Sequence, residues 1–171
     1  VPELRVSIIV GTGRIEIYSP TRKDSVLNGE EQREMGPIDY VLVEWQGRQP
    51  NGQLAPQLVD LVDRGLIRIL DLAFIAKGED GSVAGVELSD LGDEVAELAV
   101  FEGAASGLLS DEDIAEAGGV LEPGTAAALL VYENSWAAPF AAALRRSGGQ
   151  LVASGRIPVE DVLAALDAAE A

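Results

Sequence analysis

Two glutamates, each close to a tryptophan, are the residues whose types and spacing could do chemistry. Glu44-Trp45 closes the apolar run Tyr40-Val41-Leu42-Val43, and Tyr132-Glu133-Asn134-Ser135-Trp136 closes Leu129-Leu130-Val131. Two carboxylates at one end of a sheet can hold Mg2+ or Ca2+ through oxygen ligands. They can also divide general acid and base roles when their surroundings push their pKa values apart. In that reading Glu44 and Glu133 carry the site, with Trp45, Tyr132, Asn134 and Trp136 as its ligand-binding lining. The competing reading is structural: a glutamate just past a buried strand faces solvent or caps the next helix, and a tryptophan there closes the core edge. The structural reading is the stronger, so no residue is assigned a catalytic or metal-ligating role.

Composition closes other routes. The 171 residues include no cysteine and no histidine, which removes thiolate nucleophiles, imidazole acid/base chemistry, disulfides and the usual zinc and haem ligands. Gly11-Thr12-Gly13 lacks the third glycine and following helix of a dinucleotide fingerprint, and Glu79-Asp80-Gly81 lacks the regular oxygen ligands of a calcium loop. Both read as turns, and no cofactor is expected. With 29 acids against 12 bases the formal charge is −17, which repels phosphate backbones and anionic lipid, so nucleic acid is not an expected partner. The pair Arg145-Arg146 fits a helix C-terminus, where cations suit the helix dipole.

The elements that must position these residues follow from hydrophobic pattern. Ile38 to Trp45 is nearly continuously apolar, as a strand covered on both faces is. Leu54, Leu58, Leu61 and Val62 recur at helical spacing, with Gly65 as the stop. Ile67 to Ala76 reads as a second strand, although its alternation is imperfect, and Val83 to Leu88 as its hairpin partner. Leu91 to Leu109 and the acidic start Ser110-Asp111-Glu112-Asp113, which resembles a capping box, read as a helical insertion over about 90–122. Thr125 to Glu133 is a buried strand. Asn134-Ser135 supply helix-capping side chains, Trp136 to Arg146 form a helix ended by Gly148, and Gln150 to Ile157 form another strand. Pro158 opens a final helix whose Val159, Val162, Leu163 and Leu166 make one apolar stripe.

Two β-α-β units of this kind predict an α+β ferredoxin-like sandwich, with helices on one face and the first strands of both units side by side. Glu44 and Glu133 then emerge together if those strand ends meet. The single domain spans 35–171. Residues 1–34 carry five bases and six acids, so the net charge of −16 lies in the remainder. They are an extension with two readings. One is an early-called start, because the sole methionine, Met35, follows the purine-codon-rich Gly29-Glu30-Glu31. The other is a hairpin of Leu4 to Val10 and Ile15 to Tyr18 around Gly11-Thr12-Gly13.

Gly36-Pro37-Ile38-Asp39-Tyr40-Val41-Leu42-Val43, Pro123-Gly124-Thr125-Ala126-Ala127-Ala128-Leu129 and Tyr132-Glu133-Asn134-Ser135-Trp136 together resemble a small actinobacterial family known only as a domain of unknown function. The later half also resembles a broader uncharacterised bacterial family described as membrane-associated, whose middle region carries a glycine-zipper-like helix pair. Gly103 and Gly107 are the only trace of that pair here, with Glu97 and Glu102 intruding. The apolar stretches Leu98–Leu109 and Thr125–Leu144 are broken by Glu102 and by Glu133-Asn134, short of the roughly 20 apolar residues a span needs. Val6 to Val10 is too short for a signal-peptide core. The expectation is a cytoplasmic protein that does not enter membranes.

Two classes of function follow. One is a non-enzymatic module that forms homo-oligomers through its sheet or helices and binds a small molecule or a protein. The other is a small carboxylate-dependent Mg2+ or Ca2+ enzyme acting at the ends of the two central strands.

Overall fold

The computed structural model describes residues 5–10 and 13–18 as backbone, and residues 35–46, 54–86, 106–150, 152–153 and 155–170. The N-terminal segment contains the hairpin: β1 (Arg5–Val10) pairs antiparallel with β2 (Gly13–Tyr18) as a separate two-stranded sheet. The remaining strands, β3 (Ile38–Gln46), β4 (Arg68–Lys77), β5 (Val83–Val86) and β6 (Thr125–Glu133), form one antiparallel sheet in the order β3-β6-β4-β5. Helix α1 (Leu54–Asp63) joins β3 to β4, α2 (Asp111–Gly119) lies between β5 and β6, and α3 (Ala138–Arg146) and α4 (Val159–Glu170) follow β6.

This α+β sheet differs from the expected sandwich in three ways. The described residues of 150–157 form no strand. The second β-α-β unit is instead β5-α2-β6, so the helix expected as an insertion is that unit's crossover. β6 is enclosed by β3 and β4 and offers no open side to a following strand. The segment Ala153-Ser154-Gly155 also lacks the large apolar residues that would hold a strand there. As a result, the centre of the sheet holds the second strands of both units, β6 and β4, where a ferredoxin-like sheet holds the first.

Third, the helices lie on both faces. Ala55, Leu58, Val59 and Val62 of α1 pack with Ile69, Leu72, Phe74 and Ala128. Ile114 and Ala117 of α2 pack with Tyr40, Leu42, Ile75, Ala127 and Leu129 on the other face. Strand alternation dictates this division, since neighbouring residues point to opposite faces. Ile75 and Leu129, the largest fully buried side chains, sit on the α2 face. The imperfect alternation of β4 has a local cause, an irregularity in its register against β6 between Ile69 and Asp71. One extra residue there switches parity, so Ile69 shares a face with Leu72 and Phe74 although the spacing is odd. The helical stretch expected over Leu91–Leu109 lies outside the described residues as far as Ala105.

Local signals set the element ends. α1 and α3 each stop at a left-handed glycine, Gly65 (φ 66°) and Gly148 (φ 82°). At each stop paired bonds close the last turn: Leu66 N to Leu61 O with Gly65 N to Val62 O, and Gly149 N to Leu144 O with Gly148 N to Arg145 O. This is the double closure that a glycine just past a helix allows. α2 starts at a full capping box, in which Asp113 N donates to Ser110 Oγ (3.3 Å) and Ser110 N to Asp113 Oδ2 (2.7 Å). Replacing Ser110 by alanine should cost about 1 kcal/mol, read as a lower urea midpoint with an unchanged slope. In the turn before β5, the Ser82 hydroxyl and backbone N–H bond Asp80 and hold its carboxyl below the usual carboxylate range.

Candidate functional site

Glu44 and Glu133 do not meet. β3 and β6 are antiparallel, with Glu44 opposite Ala127 and Glu133 opposite Ile38. Six ladder positions at ~3.4 Å each put the two carboxylates about 20 Å apart. The shared site expected at one sheet end is therefore two separate junctions. The sequence rhyme that suggested it, an apolar strand ending in Glu and Trp, is real in pattern, but pattern does not report strand direction.

The Glu133 junction joins three strands at their ends. Thr125, Ala127, Leu129, Val131 and Glu133 are the buried alternate residues of β6, so strand period carries the carboxylate inward. It is 5 % exposed. Its Oε2 accepts from Arg68 Nε (2.8 Å) and forms an ion pair with Arg68 Nη2 (2.7 Å), and its Oε1 accepts from Gly36 N (2.7 Å). Arg68 is Glu133's register partner on β4, and Gly36 lies just ahead of β3. Gly36 must be glycine, because a Cβ there would overlap Asn134 O and come within 3.0 Å of Asn134 C.

The neighbouring candidates extend this junction. Asn134 N bonds Pro37 O (2.8 Å), and Asn134 Nδ2 donates to Asp39 Oδ2 (2.8 Å) and Pro37 O (3.3 Å). Asn134 does not cap a helix; the 3-10 turn Ser135–Ala137 and α3 both begin without a side-chain cap. Trp136 donates its indole N–H to Asn134 Oδ1 (3.3 Å) and is 66 % exposed, so it does not close the core. Tyr132 points to the opposite face from Glu133 and accepts from Arg156 Nη2 through its hydroxyl (3.0 Å).

At the other end, Glu44 Oε1 accepts from Glu122 N (2.7 Å) and Thr125 Oγ1 (2.9 Å), fastening the loop that leads into β6. Lys77 donates to Gly119 O (3.3 Å) at the end of α2 and to Leu121 O (2.7 Å) just past it. Trp45 is half-buried on the α1 face, opposite Ala126. Two further buried acids, Asp71 and Asp113, were not among the candidate site residues, although Asp113 was read as part of a capping-box-like helix start. Asp71, at the β4 irregularity, accepts from Leu72 N (2.9 Å) and Leu109 N (2.8 Å), and Asp113 closes the capping box. A polar residue inside an apolar strand and an acid three positions after a serine were their only signals.

All three buried carboxylates among the described residues, Asp71, Asp113 and Glu133, thus accept backbone N–H groups. No described buried side-chain polar atom lacks a partner. No group of three acidic residues is placed to hold a metal among the described residues, and no described helix is long and apolar enough to cross a membrane. A model for a family of unknown function, DUF6325, matches residues 34–171. No curated protein and no solved structure matches the chain.

Proposed function

The chain belongs to the family of unknown function DUF6325, and from that premise we propose that it is a non-enzymatic module that assembles with copies of itself and binds a protein or small-molecule partner in the cytoplasm. Residues 35–171 are the working domain in this reading, and residues 1–34 an extension. One contrast carries it. The polar groups that could do chemistry are bound up in holding the fold, while large apolar side chains, among them Trp136 and Phe140, stand in solvent. Large exposed apolar side chains gathered in one patch are characteristic of contact surfaces. A formal charge of −17 argues against nucleic acid and anionic membranes as the partner.

The carboxylate-dependent enzyme is the second reading, and Glu44 is its better candidate because its side chain is exposed. Adding millimolar Mg2+ or Ca2+ to the purified chain tests it. A ligand that binds only the folded state raises the unfolding midpoint. The module reading predicts no rise for wild type and a Glu44→Gln variant within about 1 kcal/mol of wild type, because the glutamine oxygen still accepts from Glu122 N. A cation-dependent rise that E44Q abolishes would favour the enzyme.

A further inference from the structure

We propose that α3 and α4 form one contact surface for a second copy of this chain, with the outward stripe of α3 in each copy covered by the outward stripe of α4 in the other. The inference rests on the assembly reading above and names its surface. Trp136, Phe140 and Ala143 follow at helical spacing across the 3-10 turn and α3, and all three are exposed, Trp136 at 66 % and Phe140 at 72 %. The 3-10 turn points Ala137 inward, and α3 points Ala142 inward. The buried side chains here are alanines and Leu144 is half-buried, while both aromatics meet water, the reverse of what a helix that ends in solvent should do.

α4 poses the same problem more sharply. Every residue from Gly155 to Ala169 is exposed, including Val159, Val162, Leu163 and Leu166, the i, i+3, i+4, i+7 stripe expected to face a core. A lone helix of 12 residues is marginal in water, since helices below about 12–15 residues need packing to persist. Something must cover this stripe, and the charges indicate what. Glu160, Asp161 and Asp167 are the charged side chains described on α4. Pairing α4 with another α4 would set acid against acid, whereas laying it on α3 brings acids toward the exposed Arg146 in the last turn of α3.

The two stripes belong to one chain and are joined through Ser147–Pro158, yet both stand open. A two-fold pair lets each copy's α4 cover the other's α3, the self-complementary arrangement of a closed dimer. Aromatic side chains bury about 150–250 Å2 each. Four of them, with the valines and leucines of two α4 helices, clear the roughly 1,000 Å2 that a specific interface needs.

Sedimentation velocity on the full chain at micromolar concentration tests the surface, with Phe140→Glu and Leu163→Glu compared with wild type. The expected result is a wild-type dimer, and for either variant a dissociation constant raised about 30-fold or more with unchanged far-UV circular dichroism. F140S and L163S serve the same purpose if a charged variant fails to fold. A wild-type dimer that survives either substitution would overturn the α3–α4 surface and leave the assembly reading standing. A wild-type monomer would overturn both.

Discussion

Replacing Glu133 by alanine should lower the unfolding free energy by about 3 kcal/mol or more, the range seen when one partner of a buried ion pair is removed. The carboxylate is 5 % exposed and accepts from Gly36 N ahead of β3 on one oxygen and from Arg68 Nε of β4 on the other, where Arg68 Nη2 completes the ion pair. Alanine leaves the Gly36 N–H without its acceptor at the entrance to β3 and releases Arg68 at the start of β4. Glutamine has one oxygen, which can accept from Gly36 N or from Arg68 but not from both, so E133Q should lose about 2 kcal/mol, less than alanine. Arg68→Ala should also cost about 3 kcal/mol, because it leaves the 5 %-exposed Glu133 carboxylate without its counter-charge. Because all these changes act on one network, the double variant R68A/E133A should fall short of the sum of the singles. Urea unfolding of the four variants measures each term. Additive losses would mean that Arg68 and Glu133 do not work as a pair.

Gly36→Ala should destabilise comparably, by about 2–4 kcal/mol, because an added methyl would meet backbone that cannot yield cheaply. The Cβ of an alanine would overlap Asn134 O, with Asn134 C at 3.0 Å and Ala138 N at 3.2 Å. Relieving that overlap pushes the chain away from Glu133 and lengthens the Gly36 N to Oε1 bond, so the two costs compound. Gly119→Ala is the control: at the end of α2, nothing lies within 4 Å of its added Cβ, and the change should stay within about 0.5 kcal/mol. Thermal unfolding of the pair separates close backbone approach from a general intolerance of alanine for glycine.

The sequence made individual elements legible and left their arrangement hidden, for a physical reason. Strand β6 declares itself by continuous apolar and β-branched residues, α1 by its spacing, α2 by its capping box, and the stops at Gly65 and Gly148 by the left-handed conformation that glycine adopts cheaply. Each is a property of ten or so neighbouring residues. Strand order depends on contacts among segments far apart in the chain, so Thr125–Glu133 could be read as a strand without showing that it inserts between β3 and β4. The same limit hid the partner of Glu133: Arg68 lies 65 positions away, and no local signal joins them. Gln150 to Ile157 misled because β6, the strand it was expected to follow in the sheet, is already enclosed by β3 and β4, which no local pattern shows.

The candidate residues divided along the same line. Glu44, Glu133 and Asn134 do lie at or just past strand ends, but what each one bonds depends on a distant partner. Trp136 was read as closing the core edge and α4 as carrying one apolar stripe, and both stand exposed. Helical spacing identifies an apolar face and does not reveal whether the chain or another molecule covers it.

Native mass spectrometry of the wild-type chain from micromolar solution tests the assembly claim most directly. The account predicts a species at twice the 17.9 kDa chain mass that Phe140→Glu reduces to single chains. A wild-type spectrum of single chains alone would contradict it.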